Sequence, residues 1–457
     1  MKTSTTLLAA SAASAVIASP TQLIPRASQP STANIQPVTV KGNAFYVGSE
    51  RFYIRGVDYQ PGGSSKVSDP IADADGCARD IAEFKKLKIN TVRVYTVDNT
   101  ADHKDCMNQL AEAGIYLALD VNTPKYSINR AQPAQSYNDV YLQNVFATID
   151  AFAGFNNTLL FFSGNEVINS DDTTSAAPYV KAVTRDMKQY LGSQGYRQVP
   201  VGYSAADVDS NRFEMASFMN CGTDDERSDF FAFNDYSWCD PSSYTTSGWD
   251  QKVKQYSDYS IPLFLSEYGC ITNGRQFQEV SALYGDDMTP VYSGGLVYEY
   301  SQEGNGYGLV TIGNRGLTEG KDFTALANAF SKTPNPSGDG GAKSSGSAST
   351  CPSQSSTWDV KNDDLPAIPG PAQKFMKNGA GQGQGLGGSG SMDGAGTGSS
   401  GTATAGSGAV SETASNKGAQ GSSSAGAVTM SAPSVSLATI VPIAVVFLST
   451  LMGAALL

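Results

Sequence analysis

Two short apolar stretches that each end in a glutamate are the features of this sequence best suited to chemistry. Thr158–Val167 (TLLFFSGNEV) is apolar with no helical period and then places Asn165 and Glu166 at its end. Pro262–Cys270 (PLFLSEYGC) repeats the arrangement with Glu267. Such runs are typical of strands buried in a parallel sheet, and in an α/β barrel the catalytic groups lie at the carboxyl ends of the strands. The pair fits the acid–base group and the nucleophile that act on a glycosidic bond.

The neighbours of the two glutamates suggest separate roles. Glu166 suits the acid–base group, because Asn165 beside it could donate a hydrogen bond to a sugar 2-hydroxyl. Glu267 suits the nucleophile. The competing interpretation for either glutamate alone is a helix cap or an ion pair with an arginine. Four other carboxylates at predicted strand ends are interpreted as substrate contacts or as groups that tune pKa values: Asp58, Asp120, Asp235 and Glu299.

Two arginines and several aromatic residues also fall on or near predicted strands. Arg55 and Arg93 would be buried, and a buried arginine needs a carboxylate partner. Two roles stay open for them: holding the nucleophile ionised, or forming a purely structural ion pair. The aromatic residues fit either a carbohydrate cleft or an ordinary core and rim, and they are Tyr59, Tyr95, Tyr236, Trp238, Tyr298, Tyr300 and Tyr307.

The elements that would position these residues alternate along the chain. After a predicted hairpin over Thr39–Phe52, the strand candidates are Phe52–Tyr59, Thr91–Val97, Ile115–Val121, Thr158–Phe162, Val199–Ser204, Phe230–Tyr236, Pro262–Ser266 and Gly294–Tyr300. The helix candidates are Ala78–Lys88, Lys104–Ala113, Tyr137–Phe152, Pro178–Leu191, Asp209–Phe218, Trp249–Tyr256, Phe277–Leu283 and Phe323–Phe330. This alternation predicts an α/β fold, a (β/α)8 TIM barrel. A doubly wound sheet is the alternative, but it would need a glycine-rich phosphate turn after its first strand.

Composition argues against several other classes. The net charge is −12 and no basic run is present, so nucleic acid is not an expected partner. His103 is the single histidine and no CxxC pair occurs, so neither a metal site nor any cofactor is expected. A Ser-His-Asp hydrolase is not supported either, because the sequence contains no GxSxG motif.

The two ends of the chain carry targeting features. Residues 1–19 have the lysine, short apolar core and small residues of a secretory signal peptide. Small residues at 421–426 and the apolar, uncharged stretch Val435–Leu457 have the layout of a glycosylphosphatidylinositol (GPI) attachment signal, for which we expect Ser424 as the anchor residue. A single transmembrane anchor is the alternative.

These features divide the chain. We expect a catalytic domain over 34–332, a linker and disulfide-tethered segment over 333–376, a disordered Ser/Gly-rich stalk over 377–430 and an attachment tail over 431–457. The six cysteines of a secreted chain should pair as disulfides, and fifteen pairings are possible.

Seven stretches together resemble glycoside hydrolase family 72, the fungal GPI-anchored β-1,3-glucanosyltransferases. They are YIRGVDYQPGG, NTVRVYTVD, YLALDVN, FFSGNEV, NDYSWC, FLSEYGC and GGLVYEYSQEGNGYGLV. The resemblance runs from about Gln36 to Phe330 and includes Cys351. Since only Cys351 follows the barrel, the chain is expected to group with members that lack a cysteine-rich carbohydrate-binding module.

The resemblance implies a retaining enzyme with Glu166 as acid–base group and Glu267 as nucleophile. It would cleave an internal β-1,3-glucan bond and transfer the new reducing end to the 3-hydroxyl at the non-reducing end of another glucan; an endo-β-1,3-glucanase acting mainly by hydrolysis is the alternative. The implied glucan contacts are Gln60, Tyr95, Asp120, Asn165, Tyr236, Tyr298 and Tyr307.

The resemblance also implies Cys77–Cys106, Cys239–Cys270 and Cys221–Cys351 as disulfides. The sequon at Asn156 predicts a glycan at the amino end of its strand. The partners would be donor and acceptor β-1,3-glucan chains, together with the membrane through the GPI anchor. A monomer is expected, secreted to the outer face of the plasma membrane and the cell wall.

Overall fold

The computed structural model describes residues 35–408 apart from 64, 65, 315, 395 and 405. The expected signal peptide, the anchor residue Ser424 and the attachment tail lie outside the described residues. Within the described part of the chain, no helix is both long and apolar enough to cross a membrane.

A closed barrel of eight parallel strands forms the body of the molecule, as the alternation predicted. Its strands are β4 (Ile54–Asp58), β5 (Thr91–Val94), β6 (Tyr116–Asp120), β7 (Thr158–Asn165), β8 (Val201–Ala206), β9 (Phe230–Asp235), β10 (Leu263–Tyr268) and β11 (Tyr292–Val297). They pair in chain order, and β11 closes the ring on β4. Nearly every barrel-strand residue is buried, which explains the long apolar runs of the sequence.

The helices lie between the barrel strands in chain order, except that the last two follow the final strand. They are α1 (Ala74–Leu87), α2 (Lys104–Glu112), α3 (Pro133–Ser136), α4 (Asp139–Phe152), α5 (Ala177–Ser193), α6 (Arg212–Met219), α7 (Trp249–Gln255), α8 (Glu279–Leu283), α9 (Lys321–Lys332) and α10 (Gln373–Asn378). Helix α1 begins four residues earlier than predicted, because the Asp73 side chain accepts a hydrogen bond from the Gly76 N–H. It ends where Lys88 adopts a left-handed conformation with φ 58°.

The amino end of the barrel is closed by a small antiparallel sheet rather than by a simple hairpin. Three strands make it: β1 (Val38–Lys41), β2 (Ala44–Val47) and β3 (Glu50–Phe52). From β2, Phe45 contacts Phe230 and Phe264, with ring centroids 6.3 and 5.9 Å apart. This aromatic packing continues to Phe162, and it fills the barrel interior below the residues that could do chemistry. A separate two-stranded ribbon, β12 (Val310–Gly313) and β13 (Gly316–Glu319), follows the barrel.

Three disulfides form, and they are the pairs that the resemblance implied. Cys77–Cys106 joins α1 to α2, and its Cα atoms are 5.7 Å apart. Cys239–Cys270 links the segments that follow β9 and β10, with a Cα separation of 5.0 Å. Cys221–Cys351 ties the segment beyond the barrel to the end of α6, with 5.1 Å between Cα atoms.

Within residues 35–408, where described, Arg55 does not bind the carboxylate partner that the sequence suggested. Its guanidinium donates to the backbone oxygens of Phe330 and Thr333, at 3.1 and 2.8 Å, and to the Asn335 side chain. The arginine therefore holds the carboxyl end of α9, where helix carbonyls lack intrahelical partners. Its role is structural.

The predicted start of the disordered stalk, residue 377, lies too early in the chain. Residues 379–408, where described, lie against the barrel helices, and Ala380 and Ser391 are each only 2% exposed. Short bridges pair Gly398 with Asn138 and Thr402 with Pro366. The expectation of disorder rested on the lack of large apolar side chains, but glycines pack here through backbone hydrogen bonds and close approach. The chain stays on the barrel at least as far as Gly408.

Candidate active site

Glu267 is the more enclosed of the two strand-end glutamates. It lies within β10 and is 8% exposed. The Tyr95 hydroxyl donates to its Oε1 and the Tyr236 hydroxyl to its Oε2, both at 2.8 Å. An Arg93 guanidinium nitrogen lies 3.4 Å from the same Oε1. These three donors hold the carboxyl group in one orientation. Arg93 lies on β5, Tyr95 directly follows β5, and Tyr236 directly follows β9.

Glu166 has a more open setting at the end of β7. It is half-buried, and the Asn234 side-chain amide donates to its Oε1 at 2.7 Å. Its backbone takes a left-handed conformation with φ 47°, which is uncommon for a residue other than glycine. The backbone is secured on both sides, because the N–H donates to Ser204 O and the carbonyl accepts from Arg130 at 2.7 Å.

Arg93 joins the polar residues of the site. It is fully buried and binds Asp120 through two nitrogens, at 2.9 and 3.2 Å. It also donates to Asn165 Oδ1 at 3.1 Å, and its guanidinium lies 4.3 Å from the centre of the Tyr95 ring. The sequence left two roles open for Arg93, and its contacts are compatible with both. It lies against Glu267, and it forms an ion pair with Asp120.

Asn165 is oriented by its neighbours. Its Oδ1 accepts from Arg93 and from Ser204 Oγ, the latter at 2.7 Å. Because the oxygen is committed to the protein, the amide nitrogen is the end of the side chain left for a sugar hydroxyl.

Burial and charge act in opposite directions on Glu267. Burial raises the pKa of this carboxyl group to about 7, Arg93 opposes the rise, and the nearby Glu166 carboxylate adds to it. The tyrosine hydroxyls that donate to Glu267 favour its charged form. Glu299 also has its pKa raised to about 7 by burial, while the Asn305 amide that donates to it works against the rise.

The two remaining predicted carboxylates, Asp235 and Asp58, have contrasting surroundings. Asp235 accepts from Lys252 Nζ at 2.7 Å. Asp58 is fully buried, neither of its oxygens has a hydrogen-bond partner among the described residues, and burial raises its pKa well above the ordinary value. Among the described residues, no group of histidine, cysteine and acidic side chains could hold a metal ion.

The aromatic residues divide into core and cleft. Tyr59, Trp238 and Tyr300 are buried in the core, whereas Tyr95, Tyr236, Tyr298 and Tyr307 are half-buried. The last three of these form a cluster, with ring centroids 5.3 Å apart for Tyr298–Tyr307 and 5.7 Å for Tyr236–Tyr307. Edge-to-face rings in this arrangement present apolar faces that suit a sugar ring.

Gln60 is occupied by the protein itself. Its side-chain oxygen accepts from the N–H groups of Tyr95 and Thr96 at 3.1 and 3.0 Å. Its side-chain nitrogen donates to Ser68 O at 2.7 Å. The contacts of Gln60 hold the segment that carries Tyr95, so any contact with a glucan would use only the remaining amide hydrogen.

A cleft of about 250 Å³ opens beside Asn165. Its lining mixes polar and apolar residues, and it consists of Tyr95, Thr96, Asp120, Asn122, Thr123, Pro124, Ser127, Ile128, Arg130, Gly164, Asn165 and Val167. Asn234 and Arg130 contact Glu166, yet neither was singled out from the sequence. Asn234 lies at the end of an apolar strand directly before Asp235, which was a usable signal; Arg130 lies in a loop that carried none.

An eight-stranded α/β barrel with two glutamates at the ends of β7 and β10 defines the class of barrel glycoside hydrolases. The model of glycoside hydrolase family 72, described as glucanosyltransferase, matches residues 27–334. The chain belongs to this family.

Named relatives and solved structures agree with the family. The chain is 69% identical over 350 residues to 1,3-beta-glucanosyltransferase gel1 of Aspergillus fumigatus, covering 76% of this chain and 77% of that protein. It is 54% identical over 362 residues to 1,3-beta-glucanosyltransferase GAS5 of Saccharomyces cerevisiae, covering 78% and 75%. The structure of Saccharomyces cerevisiae Gas2p with laminaritriose and laminaritetraose matches at a TM-score of 0.69 and 38% identity, covering 74% of this chain and 78% of that one.

Proposed function

We propose that this chain is a retaining β-1,3-glucanosyltransferase that elongates cell-wall β-1,3-glucan. The observation that carries the proposal is the unequal pair of glutamates at the carboxyl end of the barrel. Glu267 is fixed by three donors, and Glu166 keeps a half-exposed carboxyl group next to it. The 1,3-beta-glucanosyltransferase relatives and the Gas2p complex with laminari-oligosaccharides support the substrate class.

In the first step, Glu166 acts as the acid. It donates its proton to the oxygen of an internal β-1,3 bond while a carboxylate oxygen of Glu267 attacks the anomeric carbon. The bond between that carbon and the leaving oxygen breaks. The reducing-end piece departs, and the protonated oxygen stays on it as a free hydroxyl group. The remaining glucan is then joined covalently to Glu267 through its new reducing end.

In the second step, Glu166 acts as the base. Its carboxylate takes the proton of the 3-hydroxyl at the non-reducing end of another glucan, and that oxygen attacks the anomeric carbon. The bond to Glu267 breaks, a new β-1,3 bond forms, and both glutamates return to their starting states. In both steps Asn165 would donate to the sugar 2-hydroxyl, and Tyr236, Tyr298 and Tyr307 would provide apolar faces for the sugar rings.

The fate of a single laminari-oligosaccharide tests the proposal. Incubating one purified length with the enzyme should give products both longer and shorter than the substrate. Shorter products alone would make the chain an endo-β-1,3-glucanase that acts by hydrolysis, and no change in length would exclude both enzymes.

We also propose that the enzyme works as a monomer at the outer face of the plasma membrane and in the cell wall, tethered through a GPI anchor on Ser424. The small residues around Ser424 and the uncharged apolar tail support this location. Phosphatidylinositol-specific phospholipase C should release the chain from intact cells. Retention after treatment, together with extraction by detergent alone, would favour a transmembrane anchor.

A further inference from the structure

A glycine-rich stretch beyond the barrel lies directly behind the cleft. We call residues 379–391 (GAGQGQGLGGSGS) the glycine segment. It begins on the outer helices, where the Ala380 N–H donates to the Tyr190 hydroxyl at 2.8 Å. It then reaches Asn99, whose Oδ1 accepts from the Gly385 N–H at 3.0 Å. These contacts fix its path before it meets the residues that line the cleft.

The glycine segment next binds the back of the cleft loop, which we define as residues 123–130. The Lys125 ammonium group donates to Gly388 O at 2.9 Å, and the Ser391 N–H donates to Lys125 O at 3.0 Å. The Gly390 N–H donates to the hydroxyl of Tyr126 at 3.2 Å. Tyr126 is 1% exposed, so the glycine segment and the barrel enclose this ring between them.

The opposite side of the same loop faces the substrate site. Five of its residues line the cleft: Thr123, Pro124, Ser127, Ile128 and Arg130. Backbone hydrogen bonds of 3.0 Å in both directions between Thr123 and Tyr126 make the loop a tight turn. Arg130, at its end, donates to the carbonyl of Glu166. A displacement of Tyr126 is therefore expected to move the loop wall of the cleft, whereas Glu166 is also held through its N–H by Ser204 O, 2.9 Å away.

Position 388 requires glycine because the packing against Tyr126 leaves no room for a side chain. A Cβ there would lie 2.1 Å from the Tyr126 hydroxyl oxygen, which is too close for two unbonded atoms. Its neighbour Gly387 is free of this constraint, because an added Cβ would meet no atom within 4 Å. The composition of the segment thus contains positions that must be glycine for close packing and positions that need not be.

We propose that the glycine segment is a positioning element for glucan binding. It holds the cleft loop in the shape that receives a β-1,3-glucan beside Asn165, and this role rests on the proposed function. A loop that is ordered before binding does not lose that conformational freedom when the ligand arrives, which favours tighter binding. The family model ends at residue 334, so the element lies beyond the part of the chain that the family defines.

Matched alanine variants of the full-length chain test this role. Gly388→Ala should raise the KM for laminari-oligosaccharides, and the dissociation constant measured by calorimetry, by roughly two- to tenfold, the range expected for ordering a loop side chain. The kcat should change less than twofold. Gly387→Ala should match the wild type in all three quantities.

Removing the atom that Gly388→Ala would strike provides a second test. Tyr126→Phe lacks the hydroxyl, so the Gly388→Ala/Tyr126→Phe double variant should bind glucan as Tyr126→Phe does alone. Lys125→Met, which loses only the bond to Gly388 O at an exposed side chain, should weaken binding in the same direction and keeps the test decisive if Gly388→Ala does not fold.

Three results would overturn the role of the glycine segment. The first is a Gly388→Ala variant that binds laminari-oligosaccharides as tightly as the wild type. The second is an equal loss of binding in Gly388→Ala and Gly387→Ala. The third is a Gly388→Ala variant whose kcat falls while its KM is unchanged. Failure of the proposed function would look different, since the wild-type chain would then bind laminari-oligosaccharides without lengthening them, and calorimetry would still report on the segment.

Discussion

The surroundings of Glu267 and Glu166 differ more than their matched positions at strand ends would suggest. Glu267 is buried, with two tyrosine hydroxyls and an arginine directed at its oxygens. Glu166 is half-exposed, its backbone is in the left-handed region, and Asn234 is the one side-chain donor to its carboxyl group that the described part of the chain provides. The barrel therefore fixes one carboxyl group on both oxygens and leaves the other more accessible.

This contrast matches the two demands of a retaining mechanism. A nucleophile must present one oxygen to the anomeric carbon from a fixed position, and the donors on Glu267 restrain it. An acid–base group must gain and lose a proton in each cycle, which requires contact with both the leaving and the incoming chain. Substituting the two glutamates should therefore give different kinetic results and not merely different degrees of loss.

The largest effect is expected for Glu267→Gln. Without a nucleophilic oxygen no glycosyl-enzyme can form, so kcat should fall by more than the roughly 10²–10⁴-fold attributed to acid–base groups. The loss should be as large for an aryl laminari-oligosaccharide with a good leaving group, while laminari-oligosaccharide binding persists. Residual turnover within tenfold of wild type, in protein with an unchanged melting temperature, would end the assignment.

Glu166→Gln should show a loss that depends on the leaving group. With glucan as donor, the rate should fall by about 10²–10⁴-fold, since protonation of the departing oxygen is lost. A dinitrophenyl glycoside needs no such protonation, so the first step should survive and the covalent intermediate should accumulate on Glu267. Mass spectrometry of the quenched enzyme detects it; equal losses on both donors would remove the distinction between the two glutamates.

Tyr236→Phe should move the pH profile rather than abolish activity. The hydroxyl favours the charged form of Glu267, so its removal raises the pKa of Glu267 further above its ordinary value. The acid limb of kcat/KM should shift by roughly 0.5–1 unit toward higher pH, with the deficit largest at low pH and vanishing as pH rises. Tyr307→Phe is the control, because that hydroxyl is not among the donors to Glu267; an equal shift there would contradict the explanation.

The smallest effect is expected at the other end of β7. Asn156 lies just before Thr158, where the strand begins, whereas Glu166 follows its last residue. An extended strand rises about 3.3 Å per residue, so roughly 30 Å can separate the two positions. Asn156→Gln should leave kcat/KM unchanged in purified protein, even where secretion yield falls. Loss of most transferase activity would show that the two ends of the strand are not independent.

The sequence predicted the barrel well because each strand is a local signal. Eight apolar runs with intervening helical patterns suffice to indicate the architecture, and they place both glutamates at strand ends. The boundaries were less certain: β7 continues through Asn165 and β10 through Tyr268, beyond the predicted ends. Polar residues in the strands look like termini in a sequence, although the barrel buries them as readily as apolar ones when they have partners.

The polar network could not be predicted in the same way. Contacts from Asn234 to Glu166 and from Arg93 to both Glu267 and Asp120 join different strands of the barrel. Which side chains meet depends on the relative register of those strands, and no local pattern encodes it. Gln60 shows the converse, because the resemblance places it among the glucan contacts, yet its side chain bonds Ser68 on its own loop and the backbone of Tyr95 and Thr96 on the next.

Closure of the ring by β4 and β11 has a consequence for how the protein is made. A chain that emerges from its amino end cannot complete the barrel until β11 has been synthesised, and such long-range parallel pairing is slow. Cys77–Cys106 and Cys239–Cys270 span 29 and 31 residues, but Cys221 must await a partner 130 residues away. Cys221 therefore waits for its partner while Cys239 and Cys270 are being synthesised. If Cys221 pairs with Cys239 or Cys270 in that interval, the mispaired disulfide must be exchanged before Cys221 can join Cys351.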